Sequence, residues 1–434
     1  MTITIHRGLD QIGGCITEIR TDSSRVFIDM GQNLPGNGEP TTSEQDRQMV
    51  EGLFRQNKKR FEAVVYTHGH EDHIGLFDYV PAGVPQMIGE GTKEILVEKY
   101  RLIHEGDLKT QKACGGEVSE EFKVKMKTNV RKWNKLKKFV TWRRTAKPQS
   151  FNVGDIRITP FFNCHSIYDS YMLLIEAEGK KIWHTGDYRK HGYLGKGLLK
   201  TLKVFAKDIN VLITEGTMLG RSDECIHERM VSIKMSHVMQ AFKYVFVLTS
   251  ATDIERLASI NQAARKANKP QYTCSGYINS TMQIFTEREG NYGDGLFVFY
   301  PHYYKKCVLT ETMKRRGFVM TAGLSQMSFV EDLSLQLPQE ETLLIYSSWD
   351  GYYKDPAQVA LNPAYKLFRE MFLNVVDIHT SGHADRKTIE EVITAVNPKD
   401  AIIGIHKDAG QSLSSLELSE ELKNKIYTQP VLKL

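Results

Sequence analysis

The chain has 434 residues, of which 41% are hydrophobic and 25% are charged. This composition predicts a folded protein with a sizeable core and excludes a chain that is disordered along most of its length. The apolar runs are short, so the sequence predicts no membrane span. The six cysteines contain no CxxC pair and the amino terminus lacks the features of a secretory signal, which together predict a cytoplasmic protein with reduced thiols.

The formal net charge of +5 is unevenly distributed along the chain. Residues 121–147, which we call the basic segment, contain eleven Lys or Arg and one acidic residue, leaving −5 for the rest of the chain. A cationic cluster attracts a polyanion because binding releases condensed counterions. The alternative is an ordinary solvated helix surface. If the segment binds a polyanion, it contacts phosphates without reading bases. Its candidate contacts are Lys135, Lys137, Lys138, Arg143 and Arg144.

In chain order, the predicted elements begin with a strand-rich region. Short apolar or alternating runs punctuated by glycine predict strands in TITIH, GGCITEIR, RVFIDMG and FEAVVYTHGH. The run DRQMVEGLFRQN has a helical pattern and lies before the last of these strands. A mostly helical insert of about 92–150 follows. Strand patterns then return in FNVGDIRITPFF, SYMLLIEAEGKKIWHTGD and NVLITEG.

The character of the sequence changes twice more. After about residue 220, helical and strand-like runs alternate, which is typical of an α/β domain. Near residue 370 the earlier character returns, with the strand-like NVVDIHTSGH, the helical DRKTIEEVITAVN and the strand-like AIIGIH. We therefore predict a core assembled from 1–217 and 370–434, and an inserted domain, 218–369, that forms a lid over the functional site.

Three imidazoles and a carboxylate lie within six residues of the run YTHGHEDHIG: His68, His70, Asp72 and His73. They directly follow an apolar run that predicts a buried strand. Such side chains would pack poorly in a core, and each would need a polar partner if buried. Neutral imidazole and carboxylate are natural zinc ligands, and the spacing directs the side chains to two adjacent sides, which suits two ions. The alternative is a surface cluster without function.

Further candidate ligands lie at the ends of later strands. His165 follows an apolar strand in PFFNCHSIYDS, and Asp187 follows a strand and a glycine turn in KKIWHTGDYR. His406 ends a buried strand in AIIGIHKDAG. Each residue alone is a weak signal, because structural histidines and aspartates are common at strand ends. Together with the first cluster they complete a candidate dinuclear site.

These motifs resemble those of a known group of proteins. THGHEDHIG is similar to the HxHxDH signature of the metallo-β-lactamase fold, and Asp29, His165 and Asp187 match further motifs of that fold. Beyond these, the chain resembles the β-CASP nucleases, and among them the RNase J group, through the run NCHSIYDS. The residues that match motifs A, B and C of the β-CASP nucleases are Glu215, His383 and His406.

The resemblance implies an α/β fold: an αββα metallo-β-lactamase sandwich with an inserted α/β β-CASP cap domain. It also implies two divalent metal ions per chain, with zinc preferred to manganese or magnesium. The implied ligands are His68, His70 and His165 for one ion, Asp72, His73 and His406 for the other, and Asp187 for both.

The implied activity is metal-dependent hydrolysis of RNA phosphodiester bonds by a dinuclear metal-hydroxide mechanism, as an endonuclease, a 5′-exonuclease or both. Single-stranded RNA is the expected substrate, and a homodimer is left open. The implied catalytic residues are Asp72, Asp187 and His383. Asp29 and Glu215 are expected to orient the metal-binding histidines. The candidates for substrate binding outside the basic segment are Ser347, Ser348, Ser381, Gly382 and His383. For Ser347 and Ser348, an ordinary polar strand end is the alternative.

Three other functions compete with this one. A DNA nuclease of the same group is the first, but the DNA-specific branch typically lacks the histidine that matches His406. A small-molecule hydrolase such as a lactonase or thioesterase is the second, although it would need neither the inserted domain nor His383. A binding subunit that has lost catalysis is the third, and the complete set of candidate ligands argues against it.

Overall fold

The computed structural model describes residues 1–56, 58–145, 147–221 and 225–434. Where described, the chain forms two compact units. The first comprises Met1–Lys190, Leu194–Glu224 and Gly382–Leu434, and the second comprises His191–Tyr193 and Cys225–Ser381. Among the helices of the described residues, none combines the length and the apolar character that crossing a membrane requires.

The first unit contains most of its elements before the chain enters the second unit. In chain order these elements are β1 (Thr2–Arg7), β2 (Ile16–Arg20), β3 (Ser24–Ile28), α1 (Ser43–Arg55), β4 (Phe61–Val65), α2 (Glu71–Ile74), β5 (Gln86–Gly89), α3 (Glu90–Ala113), α4 (Glu120–Lys137), β6 (Val140–Trp142), β7 (Phe151–Val153), β8 (Ile156–Asn163), β9 (Ser170–Ala177), β10 (Lys180–His184), α5 (Leu198–Phe205) and β11 (Val211–Glu215).

The second unit alternates helices and strands before the chain returns to the first. Its elements are α6 (Glu228–Ala241), β12 (Tyr244–Leu248), α7 (Ile254–Lys266), β13 (Gln271–Thr273), α8 (Gly276–Glu289), β14 (His302–Tyr303), α9 (Glu311–Arg316), β15 (Phe318–Ala322), α10 (Met327–Ser334), β16 (Thr342–Tyr346), α11 (Gly351–Lys354), α12 (Pro356–Leu361), α13 (Ala364–Glu370) and β17 (Asn374–Asp377). The first unit then ends with α14 (Arg386–Val396), β18 (Ala401–Ile405), α15 (Glu420–Lys423) and β19 (Val431–Lys433).

Two sheets pack face to face in the first unit. One has the strand order β19-β1-β2-β3-β4-β5-β6, and the other has the order β18-β11-β10-β9-β8-β7. Successive side chains of a strand point to opposite faces, which explains the layering. Val26 and Ile28 of β3 lie in the cluster between the sheets, whereas Phe27 lies in the cluster on the outer face. In β11, Ile213 points inward and Leu212 points outward in the same way.

Helices cover both outer faces of this sandwich. Residues of α1, α3 and α4 join the outer cluster of the first sheet, and residues of α5, α14 and α15 join that of the second. The four layers confirm the predicted αββα arrangement. Both ends of the chain contribute to it, because β19 pairs with β1 and β18 pairs with β11.

The structure does not confirm that segment 92–150 is an insert, because the segment packs against the first sheet and extends it. Leu96 and Tyr100 of α3 and Leu136 of α4 are buried in the same cluster as the first sheet, and β6 pairs with β5 as its edge strand. The segment is therefore a covering layer of the sandwich. Its helical pattern interrupted the strand pattern in the sequence because helices and strands alternate along the chain in such a fold.

The second unit has its own parallel sheet, with the order β14-β13-β15-β12-β16-β17. Its core contains Phe246, Phe318 and Leu344. The predicted boundary at 369/370 differs from the structure, because β17 pairs in parallel with β16 and the unit continues to Ser381. A strand pattern alone does not tell which sheet a strand joins. At the other boundary, predicted at 217/218, residues 222–224 lie outside the described part of the chain.

Candidate metal centre

The loop after β4 carries the histidine-rich motif. Buried apolar residues end the strand, and α2 begins directly after His70, so the motif turns from strand to helix within a few residues. His68, Asp72 and His73 are buried, with exposed fractions of 0%, 8% and 1%. Polar groups buried to this degree need hydrogen-bond partners or a metal ion.

Asp29 follows β3 and holds the motif in place. Its backbone has a φ of 63°, in the left-handed region that aspartate tolerates better than most residues. Its carboxylate accepts hydrogen bonds from the amide and the hydroxyl of Thr67, at 2.7 and 2.8 Å, and contacts Nδ1 of His73 at 2.8 Å. The contact to Nδ1 directs Nε2 of His73 into the site. Asp29 thus has the orienting position that the resemblance implied.

A first group of candidate metal-donor side chains, the first donor group, consists of three imidazoles. Ligand atoms of His68, His70 and His165 all lie within 4.8 Å of one another. Nδ1 of His165 donates to the carbonyl oxygen of Gly382 at 2.7 Å, which leaves Nε2 as the unprotonated nitrogen of a neutral ring. Nε2 of His165 lies 3.1 Å from Nδ1 of His70. Burial lowers the pKa of His70 to about 4 and the pKa values of His68 and His165 well below 6.5, so all three rings are neutral donors.

A second group of donors combines two imidazoles with two carboxylates. Ligand atoms of Asp72, His73, Asp187 and His406 also lie within 4.8 Å of one another. Nε2 of His406 lies 2.9 Å from Oδ2 of Asp72. On the other side of the ring, Nδ1 of His406 lies 2.7 Å from the hydroxyl of Thr217, which itself donates to the carbonyl oxygen of His406. That hydroxyl therefore accepts from Nδ1, and Nε2 faces the carboxylate.

Asp187 lies between the two groups. Five histidine nitrogens lie within 3.8 Å of its Oδ2: those of His73, His406, His383, His68 and His165, at 3.1, 3.6, 3.7, 3.8 and 3.8 Å. Burial by itself raises the pKa of Asp187, but the facing His406 and His73 hold it well below its usual range. This carboxylate is thus ionised and is placed to contact ions in both donor groups.

The unsatisfied atoms of the site fit metal ions. Nε2 of His68, Nε2 of His73 and Oδ2 of Asp187 are buried and have no hydrogen-bond partner among the described residues. Orphaned buried polar atoms are rare in proteins and require an explanation, of which a bound ion is one. Here they point toward one another from two imidazoles and an ionised carboxylate, and imidazole and carboxylate are the ligands that zinc prefers. The residues present therefore fit two divalent ions.

Glu215 and His383 form a separate pair at the edge of the second group. Oε2 of Glu215 lies 2.9 Å from Nδ1 of His383, and Oε1 accepts the amide of Tyr188 at 2.9 Å. Burial alone lowers the pKa of His383, but the charge and hydrogen bond of Glu215 raise it to about 9. The side chain of His383 keeps 22% exposure, whereas that of Glu215 has none. His383 can thus reach a bound molecule while Glu215 orients its ring.

Comparison with known proteins agrees with this geometry. A protein-family sequence model described as a beta-lactamase superfamily domain matches residues 40–247. Ribonuclease J of Helicobacter pylori (strain B128) is 24% identical over 430 residues, which cover 92% of this chain. The chain is therefore similar to proteins named ribonuclease J, and its first unit has the αββα sandwich that the resemblance implied. Ribonuclease J of Thermus thermophilus is also similar, with 23% identity over 406 residues and 90% of this chain.

The fold of this chain is also found in a solved structure. A protein of unknown function from Enterococcus faecalis V583 superposes with a TM-score of 0.68 at 18% identity, covering 96% of this chain and 95% of that one. The curated relatives are longer: the chain spans 54% of the Helicobacter pylori protein and 66% of the Thermus thermophilus protein.

Two contributors to the site were missed by the sequence analysis. Thr217 contacts the rings of both His406 and His383 through its hydroxyl, at 2.7 and 3.2 Å. Its position two residues after Glu215, in the run ITEGT, was the only available signal. Cys15 is buried, and its sulfur lies within 4.8 Å of nitrogens of His73 and His406. In the sequence, a single cysteine before a strand gives no indication that its sulfur lies beside two candidate metal ligands.

The candidates for substrate binding outside the basic segment differ from one another in burial and in hydrogen-bond partners. The hydroxyl of Ser347 is buried; it donates to the carbonyl of Ile378 and accepts from Arg256, both at 2.8 Å, so it has no capacity left to donate to a phosphate. This contradicts the predicted role of Ser347. Ser348 and Ser381 are half-buried in the second unit. Gly382 contributes the carbonyl that holds His165.

The candidate phosphate contacts of the basic segment differ in whether their side chains are already engaged within the protein. Ala146 of this segment lies outside the described residues. Four of the five side chains make contacts within the protein. Nζ of Lys135 donates to the carbonyls of Asp78 and Val80, and Arg143 pairs with Glu90. Lys137 lies 3.3 Å from the ring centroid of Trp133, and Arg144 lies 3.8 Å from that of Phe162. Lys138 is exposed and has no contact of this kind among the described residues.

Proposed function

We propose that this chain is a metal-dependent ribonuclease that hydrolyses phosphodiester bonds of RNA. The observation that carries the proposal is the position of Oδ2 of Asp187, within 3.8 Å of histidine nitrogens from both donor groups. Similarity to proteins named ribonuclease J over about nine-tenths of the chain supports RNA as the substrate class. The complete set of candidate metal ligands argues against a binding subunit that has lost catalysis.

The proposed cofactors are two divalent metal ions, with zinc preferred to manganese or magnesium. His68, His70 and His165 would hold one, Asp72, His73 and His406 would hold the other, and Asp187 would contact both. When bound, such ions supply Lewis-acid stabilisation of phosphate charge and lower the pKa of water toward about 7. The protein contributes the orientation of the donors. Asp29, Thr217 and the carbonyl of Gly382 each bind the far side of a histidine ring and thereby set its tautomer.

His383 is the proposed contact to the reacting phosphate. Glu215 holds its Nδ1, so the Nε2 side of the ring is available to a nonbridging oxygen or to the leaving 3′-oxygen. The proton on Nε2 would be donated at that atom, and the buried Glu215 would stabilise the positive ring that carries it. In this scheme the 3′-oxygen leaves, so the downstream product keeps a 5′-phosphate.

Single-stranded RNA is the proposed form of the substrate, with internal cleavage, 5′-exonucleolytic cleavage or both as its modes. Three exposed lysines of the basic segment, Lys125, Lys127 and Lys138, lie in α4 or directly after it, in the covering layer of the first unit, and they would attract the phosphate backbone. Their contribution is to affinity, because a lysine on phosphate carries no sequence information.

A cleavage assay with matched RNA and DNA strands tests this function. We expect the zinc- or manganese-loaded protein to cut RNA, leaving 5′-phosphate and 3′-hydroxyl ends, and to leave DNA of the same sequence intact. A His68→Gln variant purified in the same way controls for contaminating nucleases. Preferential cutting of DNA would favour the DNA nuclease instead, and 2′,3′-cyclic phosphate ends would contradict hydrolysis by an activated water.

A further inference from the structure

A buried thiol lies beside the second donor group. Cys15 immediately precedes β2 and is 2% exposed. Its sulfur and one nitrogen each of His73 and His406 lie within 4.8 Å of one another. Nε2 of His73 is buried without a hydrogen-bond partner among the described residues. A polar atom of this neighbourhood therefore still requires a partner that the protein alone does not supply.

The backbone fixes the thiol in this position from two sides. The amide of Cys15 donates to the carbonyl of Asp72, and its own carbonyl accepts the amide of Gly31, both at 3.0 Å. On the other side, the carbonyl of Gly8 accepts the amide of His406 at 2.6 Å. A Cβ at Gly8, whose φ is 97°, would lie 3.1 Å from the sulfur of Cys15. The chain thus passes close to the thiol where only glycine fits well.

Resting on the proposed function, we infer that Cys15 is a further ligand of the second ion and makes that position selective for zinc over manganese or magnesium. On binding, the S–H bond breaks, the proton passes to solvent, and a sulfur lone pair forms the bond to the ion. Thiolate is a soft ligand that suits zinc, whereas manganese and magnesium prefer oxygen. Zinc tolerates a fifth ligand in catalytic sites. The competing explanation is that Cys15 only fills space as a small apolar side chain.

X-ray absorption of the zinc-loaded, unaltered protein tests the inference directly. After metal analysis gives about two zinc ions per chain, we expect a sulfur scatterer at about 2.3 Å in addition to nitrogen and oxygen near about 2.0–2.2 Å. A spectrum with nitrogen and oxygen alone would overturn the inference. This measurement needs no variant, so it holds even where a substitution at Cys15 prevents folding.

Substitution of the thiol gives a second, independent measurement. Cobalt-loaded protein should show a near-ultraviolet thiolate-to-metal charge-transfer band, which Cys15→Ser removes. Cys274→Ser, at a buried cysteine of the second unit, should keep the band. We expect Cys15→Ser to weaken zinc binding by at least about tenfold, the loss seen even for groups that only orient a ligand, and to change manganese binding much less. Equal losses for both metals would overturn the selectivity.

The same measurements separate failure of this inference from failure of the proposed function. A protein that holds two zinc ions and cleaves RNA, but shows neither the sulfur scatterer nor the band, contradicts the role of Cys15 and leaves the ribonuclease intact. A protein that holds no metal under any loading condition contradicts the dinuclear site, and with it both proposals.

Discussion

Oδ2 of Asp187 lies 3.1 Å from Nε2 of His73, and neither atom has a hydrogen-bond partner among the described residues. Both are buried, with exposed side-chain fractions of 2% and 1%. A carboxylate in such a place is stable when a cation faces it. We therefore predict that the Asp187→Asn protein loses at least one of the two proposed metal ions and that RNA cleavage falls by a factor on the order of a thousand, since several kcal/mol of charge stabilisation are removed.

Metal analysis and single-turnover cleavage of the Asp187→Asn protein check this prediction. Asp208→Asn, which removes an exposed carboxylate paired with Lys399, is the matched control and should change neither quantity. Circular dichroism should show an unchanged fold for both variants. Two ions and full activity in Asp187→Asn would remove the bridging role from this residue.

Removal of metal should also lower the stability of the first unit. The donor groups are preformed and buried, so we expect ions to bind the folded chain and not the unfolded one. At a free zinc concentration about a hundred times the dissociation constant, this linkage contributes about 2.7 kcal/mol to the free energy of unfolding. Calorimetry with a chelator, followed by titration with zinc, should show a transition temperature that falls and is then restored. A transition temperature that changes with neither the chelator nor zinc would contradict a preformed metal site.

Three exposed lysines of the basic segment should act through phosphate contacts. The amines of Lys125, Lys127 and Lys138 have no hydrogen bond or ion pair among the described residues. Changing all three to glutamine should weaken binding of single-stranded RNA similarly for different sequences. The slope of log binding constant against log salt should decrease in magnitude by roughly 0.7 per lost contact, or by about 2 in total. A slope that does not change would identify the segment as a plain solvated surface.

Lys135 offers the contrasting substitution in the same segment. Its half-buried amine donates to the carbonyls of Asp78 and Val80, so Lys135→Gln should destabilise the first unit by about 1–3 kcal/mol. Its RNA affinity, measured well below the transition temperature, should stay near that of the unaltered protein. A loss of affinity equal to that of the triple variant would show that the internal contacts of Lys135 are not maintained.

A buried ion pair should stabilise the second unit. The guanidinium of Arg256 contacts the carboxylate of Glu228 at 2.8 Å, with exposed side-chain fractions of 2% and 0%. Removing one partner of such a pair leaves an uncompensated buried charge and costs about 3–5 kcal/mol. We expect Glu228→Gln to lower the free energy of unfolding of this unit in urea by that amount, whereas Glu287→Gln at an exposed helix position should not. Equal urea midpoints would mean that the Arg256 side chain finds other partners.

The mode of cleavage can be decided with a single RNA prepared with three 5′ ends. RNA labelled at its 3′ end would carry a 5′-monophosphate, a 5′-hydroxyl or a 5′-triphosphate. Mononucleotide release from the monophosphate form alone establishes a 5′-exonuclease, whereas the same internal fragments from all three establish an endonuclease. Since the hydroxyl of Ser347 is already engaged, Ser347→Ala should not abolish a preference for the monophosphate.

The amino-acid sequence alone determined the local chemistry of this protein. The run of His68, His70, Asp72 and His73 is recognisable because the four side chains lie within six residues after a buried strand. Local patterns predicted the strands and helices, and the motifs, by their resemblance to a known fold, implied the αββα sandwich that the layers of the first unit confirm. These features depend on near neighbours, so the order of residues is sufficient to identify them.

Only the tertiary structure decided which distant residues meet. Cys15 approaches His406 across almost the whole chain, and Thr217 reaches the same histidine from the end of β11. The structure also assigned β17 to the second sheet and turned Lys135 toward backbone carbonyls. Each of these outcomes depends on long-range packing and hydrogen bonding, which select one partner among many of similar local character. A single thiol, hydroxyl or amine therefore has no readable role until the fold supplies its neighbours.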